Sequence, residues 1–80
     1  MNDKLLGIIQ LLQELEGDAG VPKNVKEKIT ATMKILNEET ELSIKKSRAM
    51  HALEEVSDDA NVQSYNRMQL FNIISALEIV

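Results

Sequence analysis

His51 is the only histidine in the chain and the residue whose type best suits acid–base chemistry near neutral pH. Glu54 and Glu55 follow three and four residues later, so on a helix a carboxylate would lie close to the imidazole. Such a pair can act as a general base or metal ligand only when further groups converge on it. Exposed helical histidines commonly have a glutamate at this spacing, so we interpret His51 as a surface residue and predict no catalytic residue.

A group of acidic residues could bind a divalent cation. Its members are Glu14, Glu16, Asp18, Glu54, Glu55, Asp58 and Asp59. Mg²⁺ and Ca²⁺ bind through several carboxylate oxygens, but an EF-hand spacing is absent and no Glu-x-x-His pair indicates a di-iron site. We expect Asp18 and Asp59 instead to accept hydrogen bonds from backbone N–H groups that open the following helices. The sequence therefore predicts no metal and no cofactor.

Two short basic groups could contact phosphate. They consist of Lys23, Lys26, Lys28, Lys45, Lys46 and Arg48. Nucleic-acid binding usually requires a larger basic face with stacking aromatics, whereas these residues are interspersed with Glu27 and Glu38. The formal net charge of −4 also opposes an anionic partner. A nucleic-acid partner is thus disfavoured.

Several other classes of protein are excluded by what the composition lacks. The absence of cysteine excludes disulfides, thiolate metal sites and a cysteine nucleophile, and three glycines could hardly form a nucleotide-binding loop. No apolar run approaches the ~20 residues that span a membrane. These features predict a cytoplasmic protein that is not an enzyme.

The elements that must position these groups are helices, because apolar residues recur at helical spacing throughout. The predicted helices cover about residues 2–16, 22–38, 44–57 and 63–79. Pro22 suits a first helical turn, Ser43 could cap the third helix, and Gly17 could end the first in a left-handed conformation. No strand pattern competes, and 80 residues predict a single domain, 1–80.

The chain repeats itself at an offset of 41 positions. This offset aligns residues 12–21 with residues 53–62, with five of ten positions identical, and pairs Ile29 with Leu70 and Leu36 with Leu77. The fold class predicted is therefore all-α, a four-helix bundle of two repeated helical hairpins with a HEAT-like period of about 41 residues. An open two-repeat slab is the alternative, disfavoured because solenoids usually need at least three repeats.

The turn Val21-Pro22-Lys23-Asn24-Val25-Lys26, the segment from Ala52 to Asn61 and the closing Ile74-Ser75-Ala76-Leu77-Glu78 resemble uncharacterised protein family 0147. This family consists of small archaeal proteins, and the resemblance extends over nearly the whole chain. It implies an all-helical cytoplasmic protein with no established activity, cofactor or catalytic residue.

The last helix has more apolar residues than one inward stripe requires. Nine of the thirteen residues from Met68 to Val80 are apolar. The first helix shows a milder excess, since Leu6 and Leu11 flank its inward stripe. Such an excess predicts a protein-contact surface, and a two-fold homodimer is the commonest way to bury one. Burial within the bundle is the alternative, and for the aromatic Tyr65 it is the preferred one. The interaction candidates are Tyr65, Met68, Phe71, Ile79, Val80, Leu6 and Leu11.

The sequence thus leaves three hypotheses about function. The preferred one is a non-catalytic helical interaction module or assembly subunit, with itself or an unidentified protein as partner. A small nucleic-acid-associated factor that uses the basic groups is the second. A metal-dependent enzyme at the acidic end of the bundle is the third and least favoured.

Overall fold

The computed structural model describes residues 3–80, which form four α-helices and no strand. The helices are α1 (Asp3–Glu16), α2 (Lys23–Asn37), α3 (Leu42–Ser57) and α4 (Ser64–Glu78). The predicted boundaries agree within about two residues, although position 2, where the first helix was expected to start, lies outside the described residues. Connections of a few residues make successive helices antiparallel.

The four helices close into a bundle. Each of α1 and α3 packs against both α2 and α4, so α1 and α4 complete the ring. This closure confirms the bundle and excludes the open slab. The described residues extend 32 × 19 × 19 Å, as expected for four helices that pack side by side and are each about four turns long.

An aliphatic core fills the centre of the bundle. In α1 it consists of Leu5, Ile8, Ile9, Leu12 and Leu15, and Leu12 and Leu53 are both fully inaccessible to solvent. The buried apolar residues of the other three helices are Val25, Ile29, Leu36, Ala49, Leu53, Val56, Leu70, Ile73, Ile74 and Leu77. Val21 and Val62, one from each long loop, close the core at one end.

Buried polar side chains find hydrogen-bond partners within the bundle. Thr32 Oγ1 donates to the carbonyl of Lys28 at 2.8 Å, and Ser57 Oγ donates to the carbonyl of Glu54 at 2.8 Å. Among residues 3–80, no buried side-chain nitrogen or oxygen is left without a partner. This satisfaction matters because an unpaired buried polar group costs ~1–3 kcal/mol.

Two of the predicted helix ends are wrong. Gly17 does not adopt a left-handed conformation, since no glycine in the described residues has positive φ; its N–H instead donates to the Gln13 carbonyl at 3.1 Å. Ser43 does not cap α3, because the helix begins one residue earlier at Leu42 with Glu41 as its N-cap and no side-chain cap bond.

Candidate interaction surface

His51 forms an isolated pair on the surface of α3. Its Nε2 lies 3.1 Å from Oε1 of Glu55, one helical turn on, and both side chains are mostly exposed. The structure thus provides the expected i,i+4 pair, and within residues 3–80 His51 belongs to no group of side chains that could hold a metal ion. A general base needs further groups that converge on a substrate, and this pair consists of two exposed side chains one helical turn apart.

The loops 17–22 and 58–63 lie at the same end of the bundle, where each bonds to a helix of the other hairpin. Asp18 Oδ1 accepts the Gly20 N–H at 2.8 Å, and its Oδ2 accepts Asn66 Nδ2 at 3.1 Å. Asp59 Oδ1 accepts the Asn61 N–H at 2.8 Å, and its Oδ2 accepts Asn24 Nδ2 at 3.0 Å. Each aspartate therefore fixes its own loop and links the two hairpins.

These bonds correct the capping prediction. The N-caps of α2 and α4 are Pro22 and Gln63, and neither helix has a side-chain cap bond. Asp18 and Asp59 each stand four residues before the N-cap, and each instead accepts the N–H two residues ahead, as in an Asx turn.

The same bonds lower the pKa of both aspartates. For Asp18 the largest cause is the hydrogen bond from the Gly20 N–H, followed by that from Asn66. For Asp59 the corresponding donors are Asn61 and then Asn24. Both oxygens of each carboxylate are thus occupied by protein donors, and residues 3–80 contain no group of three or more acidic or histidine side chains arranged to hold a metal ion.

The second basic group, which consists of Lys45, Lys46 and Arg48, forms hydrogen bonds within the bundle. Arg48 forms a 2.8 Å ion pair with Glu38, and Lys45 Nζ donates to the Glu38 carbonyl at 3.3 Å. Lys46 Nζ donates to the carbonyl of Glu78 at 2.8 Å and to Val80 at 3.3 Å. These bonds join α3 to the preceding loop and to the end of α4.

The outward side of α4 exposes large apolar side chains. Their exposed fractions are 67% for Tyr65, 63% for Met68, 54% for Phe71 and 73% for Ile79. We call these four residues the α4 face. We expected Tyr65 to pack against its own bundle, and this prediction is wrong. Tyr65 is the second residue of α4, and its side chain is exposed to solvent.

The α4 face is nearly free of charge. Arg67 and Glu78 are the only charged residues of α4, whereas α2 contains five. Arg67 turns away to the end of α3 and the loop after it, where Nε donates to the Ser57 carbonyl at 3.0 Å and Nη2 donates to the Asp59 carbonyl at 3.0 Å. Glu78 is the last residue of α4, and its carbonyl accepts the hydrogen bond from Lys46.

An apolar groove adjoins the α4 face along the seam between α1 and α4. Its volume is about 500 Å³, and Ile79 belongs to both the face and the groove. We call it the α1–α4 groove; its lining residues are Lys4, Gly7, Ile8, Leu11, Ala76 and Ile79. A smaller cleft of about 80 Å³ continues the seam past Leu11 toward Gln69 and Asn72. Ile79 joins the face to the groove, and the polar Asn72 and Ser75 are exposed on α4 between Met68 and Ile79.

The structure separates the remaining interaction candidates. Leu11 lines the α1–α4 groove, but Leu6 lies five positions earlier, roughly 140° around α1, and is exposed on the flank toward α2. Val80 is half-buried against the core. Five of the seven candidates therefore share one surface, and Leu6 and Val80 do not belong to its exposed part.

Gly7 and Ala76 are parts of this surface that the sequence analysis missed. A glycine inside a helix costs about 1 kcal/mol relative to alanine, and a Cβ at Gly7 would meet no atom within 4 Å. The bundle itself therefore does not require glycine there. In the sequence, the signal that could have identified this position was a glycine inside a predicted helix.

The chain is similar to known proteins over nearly its whole length. A family model described as uncharacterised protein family UPF0147 matches residues 1–80. A UPF0147 protein of Methanocaldococcus jannaschii is 34% identical over 77 residues, covering 95% of this chain and 83% of that protein. One of Thermoplasma volcanium is 38% identical over 72 residues, covering 89% and 81%. A crystal structure of the unknown function protein MMP1188 matches with a TM-score of 0.91 and 34% identity, over 98% of this chain and 90% of that one.

Proposed function

This chain belongs to the uncharacterised protein family UPF0147, and we propose that it is a non-catalytic protein-interaction module, or assembly subunit, whose contact surface is the α4 face together with the α1–α4 groove. The proposal includes a cytoplasmic location, which the absence of cysteine supports. No helix of residues 3–80 is long and apolar enough to cross a membrane.

The proposal has a second part, that the two hairpins are copies of one HEAT-like unit. Backbone hydrogen bonds at the two long loops support it, because they recur at the same offset of 41 positions. The Val21 N–H donates to the Asp18 carbonyl at 3.1 Å, and the Val62 N–H to the Asp59 carbonyl at 3.2 Å. Likewise the first helical bonds run from Lys26 to Pro22 and from Arg67 to Gln63.

This alignment supplies the observation that carries the proposal. The residues of α2 and its end that align with the α4 face are all polar. They pair as Asn24 with Tyr65, Glu27 with Met68, Thr30 with Phe71 and Glu38 with Ile79. Since α2 occupies the matching place in the bundle with a polar outer side, the bundle does not need an apolar one there. Exposed large apolar side chains on a small protein indicate a surface for another protein.

The chemistry of the other surfaces supports a non-catalytic role. The His51–Glu55 pair is exposed, the two loop aspartates are occupied by protein donors, and Lys45, Lys46 and Arg48 bond within the bundle. A catalytic site would need groups converging on a concave, water-excluding pocket. The nucleic-acid and metal-enzyme hypotheses gain no support from these contacts.

Cross-linking in native extract, followed by identification of the cross-linked proteins, tests the interaction module. The double variant Met68→Glu/Phe71→Thr should lose the cross-linked species, including any product with a second copy. The matched control is Ile44→Glu, which charges an exposed isoleucine on α3 instead. Equal cross-linking by the wild type and the double variant would contradict the proposed surface.

A further inference from the structure

We propose that the α4 face and the α1–α4 groove bind a second copy of this chain, with α4 packed antiparallel against α4 of that copy. This rests on the proposed function, in that it assigns the occupant of the same surface. Each copy would place the exposed Tyr65 and Met68 against the α1–α4 groove of the other.

The seam between α2 and α3 shows how the groove could have been closed. At the offset of 41 positions, Gly7 aligns with Arg48, and Ile79 aligns with Glu38. Arg48 and Glu38 form a 2.8 Å ion pair at the α2–α3 seam. In the α1–α4 seam the same two places hold a glycine and an exposed isoleucine, beside a groove of about 500 Å³. The α1–α4 seam is thus left open and apolar where its counterpart carries a charged bridge.

The surface is self-complementary, which identifies the occupant as a second copy. Protruding side chains, Tyr65 and Met68, lie near the start of α4, whereas the groove lies beside its end at Ala76 and Ile79. Tyr65 and Ile79 are separated by about 21 Å along the helix, at 1.5 Å per residue. An antiparallel pair centred on Asn72 therefore brings the protruding end of each copy level with the groove of the other, as a two-fold axis requires.

Charge and area are both compatible with self-association through this side. Two copies each carry a net charge of −4, so most faces would bring negative charges together, but the α4 face contributes no charge and the groove contributes only the cation of Lys4. A stable interface covers about 800 Å² on each partner. That is roughly one sixth of the accessible surface of 4855 Å². One of the four sides of the bundle can supply it.

Sedimentation equilibrium of Gly7→Arg tests the role of the groove. The arginine of the α2–α3 seam would then stand at its aligned position in the groove, where a Cβ meets no atom within 4 Å. Because arginine is also a better helix former than glycine, the fold should be retained. We expect the dimer dissociation constant to rise roughly a hundredfold or more. Ala31→Arg, the same added charge at an exposed position of α2, should leave it unchanged.

Single introduced cysteines test the antiparallel geometry, since the chain has none of its own. Asn72→Cys places the two thiols at the axis, where facing backbones of packed helices come within the ~4.4–6.8 Å that a disulfide spans. Mild oxidation should therefore link the copies. Two Ser64→Cys thiols would be roughly 24 Å apart and should not link. Linkage of both variants would indicate parallel helices and overturn the proposal, as would linkage of neither.

The outcomes distinguish this proposal from the one on which it rests. A wild-type mass of 9.0 kDa at every concentration would overturn self-association. If another protein is nevertheless cross-linked through Met68 and Phe71 in native extract, the interaction module stands with a different occupant. A dimer that is insensitive to Gly7→Arg would also overturn the proposed interface.

Discussion

The helices α2 and α4 build the same core with opposite outer sides. Both bury one apolar stripe, and aligned positions such as Ile29 and Leu70, or Leu36 and Leu77, are buried alike. Outside, α2 has Asn24, Glu27 and Glu38 where α4 has Tyr65, Met68 and Ile79. At the position aligned with Phe71, the half-buried Thr30 donates a hydrogen bond to Glu16 of α1. The comparison teaches that the fold determines only the inward stripe. The partner that we propose for the α4 face would account for its apolar outer side.

The largest expected effect tests whether the two hairpins are equivalent. Leu12→Ala and Leu53→Ala each remove a fully buried side chain at aligned positions. We expect both to lower the free energy of unfolding by ~2–5 kcal/mol, and by similar amounts, because each leaves a cavity in the same kind of site. Urea denaturation measures both losses. A loss in one variant and none in the other would break the equivalence.

A smaller effect separates the two loop contacts. Asn66, which is 2% exposed, and Asn24, which is exposed, each donate to an aspartate of the other hairpin's loop. Asn66→Ala should cost about 1–3 kcal/mol, since a buried hydrogen-bonding group is removed from a packed site. Asn24→Ala should change the free energy of unfolding by no more than about 0.5 kcal/mol. Equal losses would show that burial does not distinguish the contacts.

Gly7→Ala should stabilise the isolated bundle. An added Cβ meets no atom within 4 Å, and alanine is favoured over glycine in a helix by about 0.8–1 kcal/mol. Thermal unfolding under conditions where the protein is monomeric should therefore give a higher Tm. Gly17→Ala, at the end of α1 and away from the groove, is the comparison variant. A lower Tm for Gly7→Ala would indicate a packing role that the bundle itself imposes on Gly7.

The smallest expected effect is the acid dependence of the two loops. The pKa values of Asp18 and Asp59 are lower in the folded protein than the ordinary 3.8, so their contribution to stability is present above that pH. It is lost as the pH falls through the lowered values. The difference in Tm between the wild type and Asp18→Asn/Asp59→Asn should therefore shrink as the pH falls below 3.8. A difference that is constant with pH would contradict these hydrogen-bonded carboxylates.

The sequence predicts the helices and most of the core because the apolar residues repeat with helical period. The offset of 41 positions aligns Leu12 with Leu53, and both are fully buried. The loop bonds could not be predicted, since the contact between Asp18 and Asn66 joins distant residues whose meeting depends on how α1 and α4 pack. From the excess of apolar residues on α4 we predicted a contact surface, and the structure shows that large apolar side chains are exposed there. Only the packed bundle shows that Leu11 belongs to that surface and Leu6 does not.

Replacing the α4 face by its aligned α2 residues tests the central claim most directly. The variant Tyr65→Asn/Met68→Glu/Phe71→Thr/Ile79→Glu keeps every buried residue of α4 and should remain helical with a cooperative unfolding transition. In sedimentation equilibrium at micromolar concentration, the wild type should have twice the monomer mass of 9.0 kDa, and the variant should have the monomer mass. Equal masses for the two folded proteins would contradict the account.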